Sequence, residues 1–223
     1  DHLSILPNGV DLESWKPDPA ARSTMRSELS LTDKFLWFTA GRLDPVKDYP
    51  ALLHAMAGIT LPTRLVIAGR GPLEESLQRL STQLGLNQRV QFLGFEPDVR
   101  RWMQAADAFV LSSRWEGLSM SLLEASACAL PSVSTDVPGN REVVADGYTG
   151  IQAAAGSETE LAAAMTRLMT IPPEERRNMG QRARQSVGER YAIANVLDRW
   201  ESLYGELLMQ NPKARRWAGW HLR

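Results

Sequence analysis

One cysteine, three histidines and no stretch of about eighteen consecutive apolar residues define what this 223-residue chain does without. The lone Cys128 excludes an internal disulfide and a multi-cysteine metal site, and it fits a reducing compartment. Without a long apolar run, no membrane-spanning segment is expected. Neither sign of charge is in surplus: 25 basic against 26 acidic residues leave a formal net charge of −1. A general nucleic-acid binder needs a basic excess for the phosphate backbone, so that class is disfavoured. No Asp-x-Asp pair occurs, and His2, His54 and His221 are not clustered, so no metal is expected. The Gly69-Arg70-Gly71 turn begins like a dinucleotide fingerprint, but Glu74 stands where a third small residue is needed. The turn also follows the second predicted strand rather than the first, which disfavours a dinucleotide-dependent oxidoreductase.

What is present is an ordinary globular composition, 43% hydrophobic and 23% charged, enough for one large domain or one and a half small ones. Short apolar runs at 35–40, 64–68, 90–93, 108–111 and 132–134 read as strands. Helix-compatible text separates them, with Leu52, Leu53, Met56 and Ile59 on one face and Leu73, Leu77, Leu80 and Leu84 on another. Asp48 is the expected cap of the first of these helices, with Pro50 in its first turn. Helices at 161–169, 173–190 and 196–208 close the domain. Apolar strands alternating with helices predict an α/β domain built on a doubly wound, Rossmann-like parallel sheet covered on both faces. Ligands on such sheets bind beyond the carboxyl ends of the strands, so the loops after each strand are the place to seek chemistry. Trp37, Phe35 and Phe38 are expected in the strand core, Cys128 buried and His54 partly buried. Asn140 is expected to cap a helix start.

The richest loop is Arg114-Trp115-Glu116-Gly117-Leu118-Ser119-Met120-Ser121-Leu122-Leu123-Glu124. If Gly117 opens a helix turn, Glu116 lies in the loop at its positive end and Glu124 about two turns in, roughly 12 Å along the axis. An extended diphosphate between a sugar and a ribose spans a distance of that order. Unpaired N–H groups of Leu118 to Ser121 would face an anion there. One acid could hold sugar hydroxyls and the other ribose hydroxyls.

This run resembles the E-x7-E signature of family 4 glycosyltransferases, retaining enzymes of the GT-B fold. That signature usually reads Glu-Gly-Phe-Gly and, after four residues, Glu; here Leu118 and Ser119 replace the Phe and second Gly. The flanking text from Leu122 through Leu130-Pro131 to Thr135-Asp136-Val137-Pro138-Gly139-Asn140-Arg141-Glu142-Val143 is similar to the same family. So is Gly41-Arg42-Leu43-Asp44-Pro45-Val46-Lys47, which matches its G-R-(four residues)-K segment. The opening Ile5-Leu6-Pro7-Asn8-Gly9-Val10-Asp11 resembles the text after the interdomain linker. The resemblance, over about residues 3–209, implies that this is one half of a GT-B architecture. Residues 1–209 would be the donor-binding domain, with the N-terminal acceptor domain absent.

The resemblance further implies roles. Arg42 and Lys47 would neutralise charge growing on a departing diphosphate, and Glu116 would orient the donor sugar. Glu124 would hold the ribose, with backbone at Leu118, Ser119, Met120 and Ser121 facing phosphate. The main chain of Phe95 and Glu96 would meet the base. Gly71 marks either a turn near the nucleoside or a plain strand-to-helix turn. The nucleoside diphosphate sugar, carrying UDP or GDP, is a substrate rather than a cofactor, and no metal is expected to assist. The fragment is expected to be inactive alone. Residues 212–223 carry four cations, two tryptophans and no acid. That tail at 210–223 suits docking on the absent domain or contact with an anionic membrane. A cytoplasmic protein, free or peripheral at the membrane, is expected. The rival readings are a non-catalytic nucleotide-sugar-binding module and a GT-B phosphorylase or epimerase.

Overall fold

The computed structural model describes residues 4–31 and 34–210. In chain order these form α1 (Pro19–Glu28), β1 (Phe35–Ala40), α2 (Tyr49–Gly58), β2 (Thr63–Ala68), α3 (Glu74–Gln83), β3 (Val90–Gly94), α4 (Val99–Ala105) and β4 (Ala108–Leu111). They continue with α5 (Met120–Ala127), β5 (Ser132–Thr135), α6 (Pro138–Arg141), β6 (Gly150–Ala153), α7 (Glu158–Thr170), α8 (Pro173–Tyr191) and α9 (Ile193–Gln210). All six strands pair in parallel, in the order β3-β2-β1-β4-β5-β6. The order reverses between β1 and β4, so the loops leaving these two neighbours diverge and open a crevice at the carboxyl edge.

Alternation along β1 shows why the sheet is buried twice over. Leu36 and Phe38 join one core with Val66, Phe109, Leu111 and helices α1, α4, α5 and α8. Trp37 joins the opposite core with Leu65, Ile67, Val110 and helices α2, α3 and α7. Successive strand residues point to opposite faces, and both faces here meet helices, so the strands read as unbroken apolar runs. Trp37 and Phe38 are inaccessible and Cys128 is buried at the end of α5, as expected. Phe35 is only partly buried and lies under the Arg176 guanidinium, 5.0 Å from its ring centre. His54 is exposed rather than half-buried, with Nδ1 3.9 Å from Glu158.

Two elements lie outside the expectation. Strand β6 adds an edge beside β5, and α1 precedes the sheet. Helix α1 starts at Asp18, whose carboxylate accepts from the N–H groups of Ala20 and Ala21, and Pro19 fits its first turn. Besides Met25 in the core, arginines hold it to the body: Arg22 and Arg26 both reach Asp107, the residue before β4, with Arg26 Nη1 at 2.9 Å, and both also donate to the carbonyl of Ala105. The same carboxylate accepts from the Leu36 N–H at 2.8 Å, fastening helix, β1 and β4 at one point. Among the described residues no helix is long and apolar enough to cross a membrane. The tail at 211–223 lies outside the described residues.

The Asp107 hub predicts that Asp107→Ala, which removes the largely buried carboxylate shared by Arg22, Arg26 and the Leu36 N–H, destabilises the fold by about 3 kcal/mol. Urea unfolding checks it, and a loss below about 1 kcal/mol, as for an exposed ion pair, would show that α1 is not anchored there.

Candidate active site

The residues singled out between β1 and β4 come together. The loop after β1 runs from Gly41 into a short 3-10 turn, Pro45–Lys47, opened by the Asp44 carboxylate, which accepts from the N–H groups of Val46 and Lys47. This turn lifts Lys47 toward the loop after β4. There Lys47 Nζ lies 2.5 Å from Glu116 Oε1, and Ser113 Oγ donates to the same oxygen at 2.7 Å. Both members of this ion pair are largely buried. A charge taken out of water needs a partner of this kind.

The pair forms one wall of an open cleft of about 410 Å3. Arg42, Leu118, Ser119, Met120, Ser121 and Glu124 share the lining. Arg42 is mostly exposed at the cleft mouth, 3.8 Å from Asp44. The helix begins at Met120 rather than at Gly117, because Ser119 is its cap: Oγ accepts from the Leu122 N–H at 3.4 Å and sits 3.1 Å from Ser121 Oγ. The Ser119 side chain is therefore buried and engaged with its own helix. The first turn of α5 still presents donors that have no acceptor within the helix, at the positive end of its dipole.

The two acids of the run differ in chemistry. Glu116 is ion-paired, while Glu124, half-buried on α5, has no hydrogen-bond or ion-pair partner among the described residues. Burial pushes the Glu124 carboxyl up to about 7 from its ordinary 4.5. The cleft thus holds an acceptor whose hydrogen-bonding capacity is unused.

Gly71, Phe95 and Glu96 are not in the cleft wall. They sit on the loops after β2 and β3, which run alongside the loop after β1: Leu43 N–H donates to Arg70 O at 3.0 Å and Gly69 N–H to Gly94 O at 2.7 Å. Gly69, at φ +138, packs so close that a Cβ would stand 1.9 Å from Gly41 O. Gly71 is as tightly placed, with a Cβ position 2.3 Å from Leu43 O. Phe95 is exposed. The Glu96 carboxylate accepts from the Asp98 N–H and from Trp102 Nε1, so its side chain ties the loop to α4.

One expectation for a capping residue is refined and one corrected. Asp48 stands at the N-cap position of α2, as expected, but its side chain makes no cap; it adopts φ +48 and its carboxylate accepts from Arg114 Nε at 2.8 Å. Asn140 lies inside α6, whose cap is Val137, and its Nδ2 donates back to Thr135 O at 2.9 Å. Sequence reading also missed Ser113, which holds Glu116; the signal was a pair of serines directly after β4, just before the acidic loop.

The family model described as Glycosyl transferases group 1 matches residues 21–186. The chain belongs to this family. Among its relatives is the GDP-mannose-dependent alpha-(1-6)-phosphatidylinositol monomannoside mannosyltransferase of Mycolicibacterium smegmatis, 37% identical over 66% of this chain and 42% of that one. The crystal structure of Anabaena HepE in complex with UDP-glucose shares the fold with a TM-score of 0.85 at 25% identity, over 91% of this chain and 57% of HepE. A crystal structure of the C-terminal domain of the group 1 protein LpcC from Francisella tularensis has a TM-score of 0.74 at 22% identity, over 83% of this chain and 100% of that one. This chain spans about half the length of the curated relatives it matches. Its Rossmann-like sheet is that of GT-B glycosyltransferases.

The raised Glu124 carboxyl carries a sign. Unfolded, it ionises near 4.5; folded, only near 7, so the folded chain holds an extra proton between those values. Stability is then lost as pH rises through that window. Glu124→Gln is expected to melt above the unsubstituted chain at pH 8 and together with it at pH 4. A difference in melting temperature that ignores pH would overturn the burial argument.

Proposed function

We propose that this chain is the donor-binding half of a retaining glycosyltransferase that moves a sugar from a nucleoside diphosphate to a hydroxyl acceptor. The observation that carries the reading is the meeting, in one cleft, of the Lys47–Glu116 pair, the open first turn of α5 and the Glu124 carboxylate, which has no partner among the described residues. In the proposed complex Arg42 and Lys47 hold the diphosphate with the amides at the start of α5, and Glu116 faces the sugar hydroxyls. Glu124 accepts from the ribose hydroxyls, and the loops carrying Gly71, Phe95 and Glu96 flank the nucleoside. The bond from the anomeric carbon to the β-phosphate oxygen breaks while the acceptor oxygen attaches on the same face, and the acceptor proton passes to the leaving phosphate. Two cations and a helix terminus supply charge where it develops in the transition state. No step calls for a metal ion.

The similarity to a stand-alone C-terminal domain supports the division of labour, with residues 1–209 as the donor domain and the acceptor side on an N-terminal domain outside this chain. The base is proposed as uracil or guanine, since HepE was crystallised with UDP-glucose and the mycobacterial relative is named for GDP-mannose. Proposed placement is cytoplasmic, supported by the free, buried Cys128, with the tail at 210–223 as the segment for membrane or interdomain contact. Without the acceptor side, residues 1–223 alone are expected to transfer nothing.

Calorimetric titration with UDP, GDP, ADP and NAD, in EDTA and again with Mg2+, tests the reading. Expected is binding of one nucleoside diphosphate, unchanged by metal, that weakens about tenfold or more in Lys47→Ala and in Glu124→Ala, as for loss of a hydrogen bond to a charged group. Binding of NAD alone, or binding that requires Mg2+, would reject it.

A further inference from the structure

The loop contacts behind the cleft extend the proposed donor reading, on which this inference rests. Asp48 is buried, yet it is a non-glycine residue at φ +48, a backbone region that costs an L-residue energy and that Asp tolerates better than most. Among the described residues its carboxylate has one hydrogen-bond partner, Arg114 Nε at 2.8 Å. Arg114 in turn donates its N–H to Val46 O at 2.8 Å, and the neighbouring Ser112 Oγ donates to Lys47 O at 2.8 Å. Four contacts therefore join residues 46–48 to residues 112–116: Arg114 to Val46, Ser112 and Glu116 to Lys47, and Arg114 to Asp48. Lys47 is the residue they enclose.

We propose that Asp48 and Arg114 are positioning residues that hold Lys47 at the height on the cleft wall where its ammonium meets both Glu116 and the β-phosphate of the donor. Lysine is a compact charge on a flexible four-carbon stem, and its aim depends on where its backbone is held. The 3-10 turn that carries it is only three residues long and ends in the left-handed residue, so it has little regular structure of its own to fix it. Ser112 fixes the Lys47 carbonyl, and the Asp48–Arg114 pair fixes the following residue, whose unusual backbone angle sets the exit into α2. Electrostatic selectivity for a second phosphate then depends on a contact that itself touches no ligand.

The test compares UDP with UMP, or GDP with GMP, on the 223-residue chain by calorimetry. Arg114→Ala is expected to weaken the diphosphate about tenfold, the order that a small misplacement of a binding group costs, while the monophosphate changes less than about twofold. Arg114→Lys, which keeps a cation within reach of Asp48, is expected to restore most of the diphosphate preference. The double variant Asp48→Gly, Arg114→Ala removes both the stranded carboxylate and the backbone strain. It is expected to remain weak for the diphosphate, because the tie on the residue after Lys47 is still missing while the Val46, Ser112 and Glu116 contacts are left in place. Equal losses for mono- and diphosphate, or recovery in the double variant, would overturn the positioning role and leave the donor reading standing. Failure of the unsubstituted chain to bind any nucleoside diphosphate would overturn both.

Discussion

Everything at the carboxyl edge depends on one ion pair drawn out of water, Lys47 to Glu116, bridging two loops that leave adjacent parallel strands. A parallel sheet sends every strand out on the same side, so the loops after β1 and β4 begin as neighbours and then turn to opposite faces. That geometry brings a cation from residue 47 and an acid from residue 116 into contact although 69 positions separate them. Burial makes the contact obligatory, since either charge alone in that place would be costly. Ser113 supplies a second donor to the same carboxylate oxygen and so limits how the acid can turn.

Around this pair the molecule divides its work between rigid and unfilled parts. The two apolar layers hold β1 and β4 in register, and α5 is packed by Leu122, Leu123 and Ala125, so the helix terminus points at a fixed spot. Glu124, by contrast, is held half-buried with no side-chain partner among the described residues. An unsatisfied carboxyl in a cleft is a cost to the folded state that a ligand can relieve, and sites for polar ligands are where such costs are tolerated. Preorganised charge with an unused acceptor is what a substrate rich in phosphates and hydroxyls would meet.

Most of the architecture was legible because its signal is strong and local. Phe35 to Ala40 or Ala108 to Leu111 could be little else than buried strand, and the β-α alternation then forces the layers. Strand β6, Gly150–Ala153, was not legible: it is four residues with a glutamine inside, and its pairing with β5 rather than its composition makes it a strand. Helix α1 escaped because only Met25 of its ten residues is buried and its attachment is through arginines rather than an apolar stripe. At the site, the residues with chemistry of their own, Lys47, Glu116 and Glu124, stood out by type and spacing. Those that act on other residues did not. Asp48 and Asn140 were read as caps on local grounds; Asp48 holds the cap position, yet its side chain turns to Arg114, 66 residues away, and Asn140 donates back to Thr135 rather than forward into its helix. Ser119 shows the reverse lesson: its capping signal was present, and it moves the helix start three residues beyond Gly117.

The start of α6 rests against the acidic loop with backbone on backbone. A Cβ at Gly139 would stand 2.4 Å from Glu116 O and 2.3 Å from Gly117 O. The loop that carries the buried acid therefore has a hard floor, provided by a unit whose strand, β5, lies one place further along the sheet. A shift of that unit by a fraction of an ångström is transmitted to Glu116 without any intervening side chain to absorb it. Variation in the β5–α6 segment, remote from any ligand, would then be heard directly in the charge balance of the cleft.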